Sequence, residues 1–289
     1  VIGMPQTRIG ISGWVYKPWR GTFYPKGLAH SRELEFASRK LNSIEINGTF
    51  YSLQRPSSFQ KWYAQTPDDF VFAVKGPRFI THMKKLKDVR GALANFLASG
   101  VLELREKLGP MLWQFPPNFG FDAGRFEEFM EMLPRSTEAA AELAREHEPR
   151  MKWRTALEPH GDRPIRHAME IRHPSFGREF VEMLRKQKIA LVTADSAGRY
   201  PLLEDVTADF VYLRLHGAEE LYVSGYSDKA LDRWAERVAA WRGGGEPSDA
   251  RRVGRAAAKR KSRDVYVYFD NDVKVRSPHD AIGLATRLA

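Results

Sequence analysis

"NSIEINGTFYSL", residues 42–53, alternates isoleucine with polar side chains. On an extended chain Ile44 and Ile46 share one face, and Glu45 and Asn47 share the other. A strand of this kind ordinarily has one face in water, yet its neighbours do not read as antiparallel hairpins. Short β-rich runs recur along the chain, nearly all followed by helical patterns. They are "RIGIS" (8–12), "SIEIN" (43–47), "FVFAVK" (70–75), "GPMLWQF" (109–115), "HAMEIR" (167–172), "IALVTAD" (189–195), "FVYLRLHG" (210–217) and "DVYVYFDN" (264–271). Eight such units in 289 residues predict one α/β domain, a (β/α)8 TIM-type barrel spanning 1–289. That architecture gives the carboxylate a place. Outward strand residues meet helices and are apolar, whereas inward ones near the C-terminal strand ends can be polar. The rival, an open doubly wound sheet, finds no glycine-rich dinucleotide fingerprint or phosphate loop after any strand.

Three segments depart from the repeat. After the sixth strand, "SAGRYPLLEDVTA" carries Pro and Gly where a helix is expected, so the sixth crossover is degenerate. Residues 134–165 read as an insertion between helix 4 and strand 5, and 243–263 as a flexible basic loop between helix 7 and strand 8. Connections from helix to strand lie on the N-terminal face of a barrel, opposite the catalytic mouth.

The formal charge is +10, from 46 basic and 36 acidic residues, which favours anionic partners. The run "RRVGRAAAKRKSR", 251–263, holds seven of those basic residues and no acid, so the rest of the chain carries only +3. It reads first as a solvated loop and second as a contact for a polyanion. The absence of cysteine excludes disulfides, thiolate metal sites and a cysteine nucleophile. No apolar run reaches the roughly 18 residues of a membrane span, so no membrane partner is expected. The start, "VIGMPQTRIG", lacks the pattern of a signal peptide, and a cytoplasmic protein is expected.

A period of two along each strand turns Ser12, Glu45, Asn47, Lys75, Gln114, Glu170, Arg172, Asp195, Arg214 and His216 inward, with Tyr266, Tyr268 and Asp270 beside them. Buried charges must pair or face ligand and water. An internal ion-pair network satisfies that demand, and so does a polar pocket whose carboxylates act as acid or base. In the functional reading Glu45, Glu170 and Asp195 supply catalytic carboxylates and His216 shuttles a proton. Lys75, Arg172 and Arg214 bind anionic groups. Trp14, Tyr16 and Tyr51 stack on the substrate, and Ser12, Asn47, His82, Gln114 and Asn271 complete the ligand set. Glu170, Asp195 and His216 end strands five to seven and could together hold a divalent metal. Arg172 and Arg214 on the same strands oppose a dication, and no HxH or HExxH cluster exists, so a metal is not favoured. Lys75 suits a Schiff base, but an ion pair with Glu45 is the preferred expectation.

Seven pieces, "GISGWVYKPWRGTFYP", "IEINGTFY", "FVFAVKGPRFITH", "LWQFPP", "MEIRHPSF", "YLRLHG" and "YVYFDN", run in order over residues 8–287. Together they resemble the domain of unknown function 72 family, also called YecE-like. Phe176 departs from the pattern, standing where Trp is expected after "RHPS". The resemblance implies a (β/α)8 barrel, and its motifs fall on Glu45, Asn47, Lys75, Gln114, Glu170, Arg172, Arg214, His216 and Asn271. It implies little about chemistry. The expected function is an enzyme of hydrolase or lyase–isomerase type, acting at the C-terminal mouth on a phosphorylated or polyhydroxylated anionic substrate. The alternative is a non-catalytic nucleic-acid-binding protein using the basic, aromatic mouth.

Overall fold

The structure is a computed structural model that describes residues 6–151, 154–219, 221, 223–271 and 275–289. All eight expected strands form, each within two residues of its expected ends: β1 (Thr7–Ser12), β2 (Ser43–Ile46), β3 (Val71–Lys75), β4 (Leu108–Gln114), β5 (His167–Glu170), β6 (Ala190–Asp195), β7 (Phe210–Leu215) and β8 (Asp264–Phe269). They pair in parallel and in chain order, and β8 closes on β1 through Thr7–Val265 to Ile11–Phe269. The outer layer contains α1 (Glu33–Ser38), α2 (Gly48–Tyr51), α3 (Pro56–Gln65), α4 (Arg90–Ala98), α5 (Ala123–Met132), α6 (Thr137–Ala144), α7 (Arg178–Gln187), α8 (Asp228–Arg242) and α9 (Arg276–Leu288). Residues 196–209, between β6 and β7, hold no helix, in agreement with their Pro and Gly content. Among the described residues no helix is long and apolar enough to cross a membrane.

Alternation along the strands separates two buried clusters. The outer one joins Ile9, Ile11, Ile44, Ile46, Phe72, Val74, Leu213 and Leu215 to the helices. The inner one fills the barrel with Ala73, Leu112, Ala168, Ala190, Val192 and Ala194 facing Phe210, Tyr212, Tyr266 and Tyr268. Small residues on β3, β5 and β6 thus make room for aromatic rings from β7 and β8, the large-against-small complementarity that fills a barrel without voids. The tyrosines find polar partners across the interior, with Tyr268 Oη 2.7 Å from Ser43 Oγ and Tyr212 Oη donating to Glu45 at 2.5 Å. At Gly10, β1 and β2 approach so closely that a Cβ would lie 1.9 Å from the Ser43 carbonyl oxygen.

Residues 134–165 contribute α6, which packs against α4 and extends the outer layer, with Arg90 and Glu146 2.5 Å apart. The 243–263 segment has neither helix nor strand, but it is tied to the body of the barrel. The Asp205 carboxylate accepts from the backbone N–H of Val253 and Gly254 at 3.0 and 2.9 Å, and Arg185 donates to the Arg255 carbonyl at 2.6 Å.

Candidate functional site

Seven of the eight strand ends deliver a polar side chain to one level of the barrel: Ser12, Glu45, Lys75, Gln114, Glu170, Arg214 and, just beyond β8, Asp270. Arg214 is the hub and has no solvent exposure. Its Nε donates to Glu45 at 3.1 Å and Nη1 to Glu170 at 2.7 Å. Nη2 lies 2.8 Å from Glu45, 2.7 Å from Asp270 and 3.2 Å from Ser12 Oγ. Glu45 also accepts from Ser12 Oγ and Tyr212 Oη, both at 2.5 Å. Glu170 accepts from Gln114 Nε2 at 3.0 Å and from Arg172 Nε at 3.0 Å. His216 reaches Asp270 at 3.2 Å and Glu170 at 3.6 Å. The interior that wants a carboxylate is one built around a buried guanidinium.

This network fixes the charge states. Burial alone would raise the Glu170 carboxyl, but the guanidinium groups of Arg214 and Arg172, with His216, hold it well below the usual carboxylate range. Burial also opposes ionisation of Asp270, and Arg214 and His216 overrule it, bringing its pKa down to about 2. The same carboxylates push Arg214 well above its ordinary value despite burial. Glu45, Glu170 and Arg214 are sealed beneath the mouth, so Arg214 has no free donor for a substrate.

Above this layer opens a cleft of about 650 Å³. Lys75, Gln114, Asp270 and Asn47 form its base, Arg78 and Arg172 bring positive charge, and Tyr16, Phe50, Tyr51, His82 and Met83 supply its walls. A π-type turn, Phe79–Met83, carries His82 and Met83 over the opening. Gly76 lets the chain leave β3 across the Trp113 ring, where a Cβ would come within 2.4 Å. Lys75 differs from the expected ion-pair partner of Glu45. Both Glu45 oxygens are taken by Ser12, Tyr212 and Arg214, and Lys75 forms no ion pair within 4.0 Å among the described residues. Its Nζ lies 4.2 Å from the Phe50 ring centroid, and the residue is only 7 % exposed. Burial, reinforced by Arg214, lowers its pKa to about 8 even though three carboxylates pull the other way. His82 is lowered to about 4 by burial and then by Lys75 and Arg172, so it is neutral at pH 7.

The remaining expected residues separate. Asp195 follows the outward parity of Leu191 and contacts Tyr226 Oη at 3.1 Å, on the helix side of β6. It therefore does not meet Glu170 and His216 as a metal trio, and no grouping of three His, Asp or Glu suited to a metal occurs among the described residues. The inward residues of β6 are Ala190, Val192 and Ala194, so counting parity from Asp195 misplaced it by one. Trp14 packs edge-on against Trp62 in the outer layer, 5.3 Å between centroids. Asn271 anchors α9 instead of the cleft, donating to Asp280 at 2.8 Å. Ser12 and His216 are enclosed in the network. Phe50 and Met83 line the cleft without having been singled out, and they join Arg78 and Asp270 there. The period of two already marks Asp270, and it also marks Tyr212, which shares the parity of Arg214.

Comparison with known proteins agrees with this architecture. The family model described as "Protein of unknown function DUF72" matches residues 8–289. The chain is 31 % identical over 127 residues to UPF0759 protein YecE of Escherichia coli, covering 44 % of each chain. It is 27 % identical over 122 residues to UPF0759 protein YunF of Bacillus subtilis, covering 38 % of this chain and 40 % of that one. The matched segments thus span less than half the length of these curated relatives. A crystal structure of a DUF72 family protein from Thermotoga maritima superposes with a TM-score of 0.73 at 26 % identity, over 98 % of this chain and 99 % of that one. One from Enterococcus faecalis gives 0.69 at 16 % identity, over 98 % and 95 %. Both the matched motifs and the closed barrel lead to one conclusion: the chain belongs to the DUF72 family.

Proposed function

We propose that the protein is an enzyme of the lyase–isomerase type that moves a proton on a phosphorylated or polyhydroxylated anionic substrate, with Lys75 as the acid–base group. The observation that carries this reading is Lys75 itself: buried, unpaired among the described residues and lowered to about 8 at the base of the cleft. A group titrating near neutrality both accepts and returns a proton efficiently, which a solvated lysine does not. Arg172 and Arg78 would clamp the anionic group, and neutral His82 would donate or accept a hydrogen bond. Asn47 Oδ1 is buried with no donor among the described residues, so a substrate hydroxyl would satisfy it. Hydrolysis by a carboxylic acid fits less well. Such an acid needs a raised pKa, and Glu170 and Asp270 are held ionised.

The test has two stages. Phosphorylated sugars and sugar acids are screened for thermal stabilisation of the wild type that is lost in Arg172→Ala. Any hit is then incubated in deuterated water and followed by NMR. Exchange of a carbon-bound proton with wild type, absent with Lys75→Met, supports the assignment; no stabilisation by any member of the class contradicts it.

One observation favours a second reading, binding of single-stranded nucleic acid at the same mouth. Tyr51 is 70 % exposed and Phe79 also projects, both beside basic residues, as stacking platforms do. Binding of that kind must weaken steeply with salt.

A further inference from the structure

A second basic concavity lies at the opposite end of the barrel. It occupies about 1100 Å³ at the start of β5, β6 and β7 and is closed on one side by the 251–263 segment. Seven cations converge on it: Arg255 and Arg260 from that segment, Arg185, Lys186 and Lys188 from the end of α7, and Arg135 and Arg166 from the approach to β5. An eighth, Arg263, lines it from below. Asp209 is the one carboxylate in its lining among the described residues, and it pairs with Arg166 at 3.4 Å. Lys186 is matched by Glu127, Arg185 by Glu182, and Arg166 also by Asp264. Five cations are left without a carboxylate within 4.0 Å among the described residues: Arg135, Lys188, Arg255, Arg260 and Arg263. Those five amount to half of the chain's formal charge of +10.

Arg263 makes the imbalance most evident. It is 2 % exposed, and among the described residues its Nη1 and Nη2 donate only to the carbonyls of Gly245 and Ala258 and its Nε has no partner. Burying a guanidinium without a counter-charge is unfavourable, and here a further cation, Arg260, stands close by. Proteins seldom retain such a cluster unless an anion neutralises it. Guanidinium forks match phosphate oxygens in geometry as well as charge.

We infer that this N-terminal-face cleft is a second ligand site, which binds a small molecule carrying several phosphate groups. Its volume is that of a small-molecule site. Among the described residues no aromatic ring lines it, so recognition runs through the anionic groups and not through stacked bases. The site is independent of the proposed chemistry at the mouth, since the packed barrel interior lies between them.

Inorganic tripolyphosphate is the probe. Calorimetric titration of the full chain at about 50 mM salt, where charge screening is modest, should show a saturable site that persists when the mouth is disabled by Arg172→Ala. Lys188 and Arg260 are exposed, and their side chains make no hydrogen bond among the described residues, so the double variant Lys188→Glu, Arg260→Glu should fold normally. Its affinity should fall by about tenfold or more, while Arg172→Ala in the mouth leaves binding unchanged. The inference is overturned if no binding occurs, or if Arg172→Ala abolishes it and the double variant does not. Binding of single-stranded oligonucleotides of any sequence that tripolyphosphate fails to displace would overturn it in favour of a nucleic-acid surface.

Discussion

Arg214 Nη1 and Glu170 Oε2 lie 2.7 Å apart, and neither side chain has any exposure to solvent. One guanidinium bridges three carboxylates across the barrel, with Glu45 and Asp270 completing the set. Removal of one partner from such a network leaves uncompensated buried charge, a destabilisation of about 3–5 kcal/mol. Arg214→Met should show a loss of that size by urea unfolding at pH 7. The sign of its pH dependence follows. Without Arg214, burial weighs more heavily against the Glu170 and Asp270 carboxylates, so the variant is most nearly rescued at low pH and loses stability relative to wild type as pH rises. A variant equally impaired at pH 5 and pH 7.5 would contradict the hub role.

Acid should dismantle the wild-type network in the reverse sense. Asp270 is lowered to about 2 and Glu170 is also lowered, so both contribute stability that is complete above their unfolded values. That contribution declines as pH falls from about 4 toward 2, with Asp270 alone accounting for about 2 kcal/mol. Asp270→Asn should flatten this part of the stability profile, measured by calorimetric scans across the range.

Lys75 should oppose stability while serving function. Its ammonium is disfavoured by burial, so the unfolded chain binds the extra proton between pH 8 and 10.5 and wild-type stability rises across that interval. Lys75→Met should be more stable than wild type at pH 7 by about 1–3 kcal/mol and lack the rise. Loss of stability in this variant would show that the amine is a structural partner.

Gly10→Ala is the expected steric failure. The added Cβ would meet backbone, not a movable side chain, at the β1–β2 seam. Overpacking of this sort costs about 1–3 kcal/mol or more, and a lowered Tm or insoluble protein should result. An unchanged Tm would mean that the two strands separate readily.

The fold was legible because β1 to β8 carry their parity in plain view: Ile9, Ile11, Ile44 and Ile46 belong to the outer cluster, and Glu45 and Arg214 to the interior. What parity could not assign was depth. Glu45, Glu170 and Arg214 point inward, but whether they face a ligand or one another depends on reach across the barrel, which no single strand encodes. Asp195 was misplaced because the "IALVTAD" run is apolar on both faces, as a strand buried on both sides must be, so alternation offers no reference. The role of Lys75 was hidden for a related reason. Its expected partner, Glu45, is taken by Tyr212 and Arg214 from a strand 167 residues and more away in sequence.

The central claim is that Lys75 titrates near neutrality in an open anionic-ligand cleft, and competitive acetylation across pH 6–11, read by mass spectrometry, tests it directly. The expected reactivity midpoint for Lys75 is about 8, shifted when an anion occupies the cleft. A midpoint at about 10.4, the value of a solvated lysine, or a Lys75 that cannot be labelled at any pH, would contradict it.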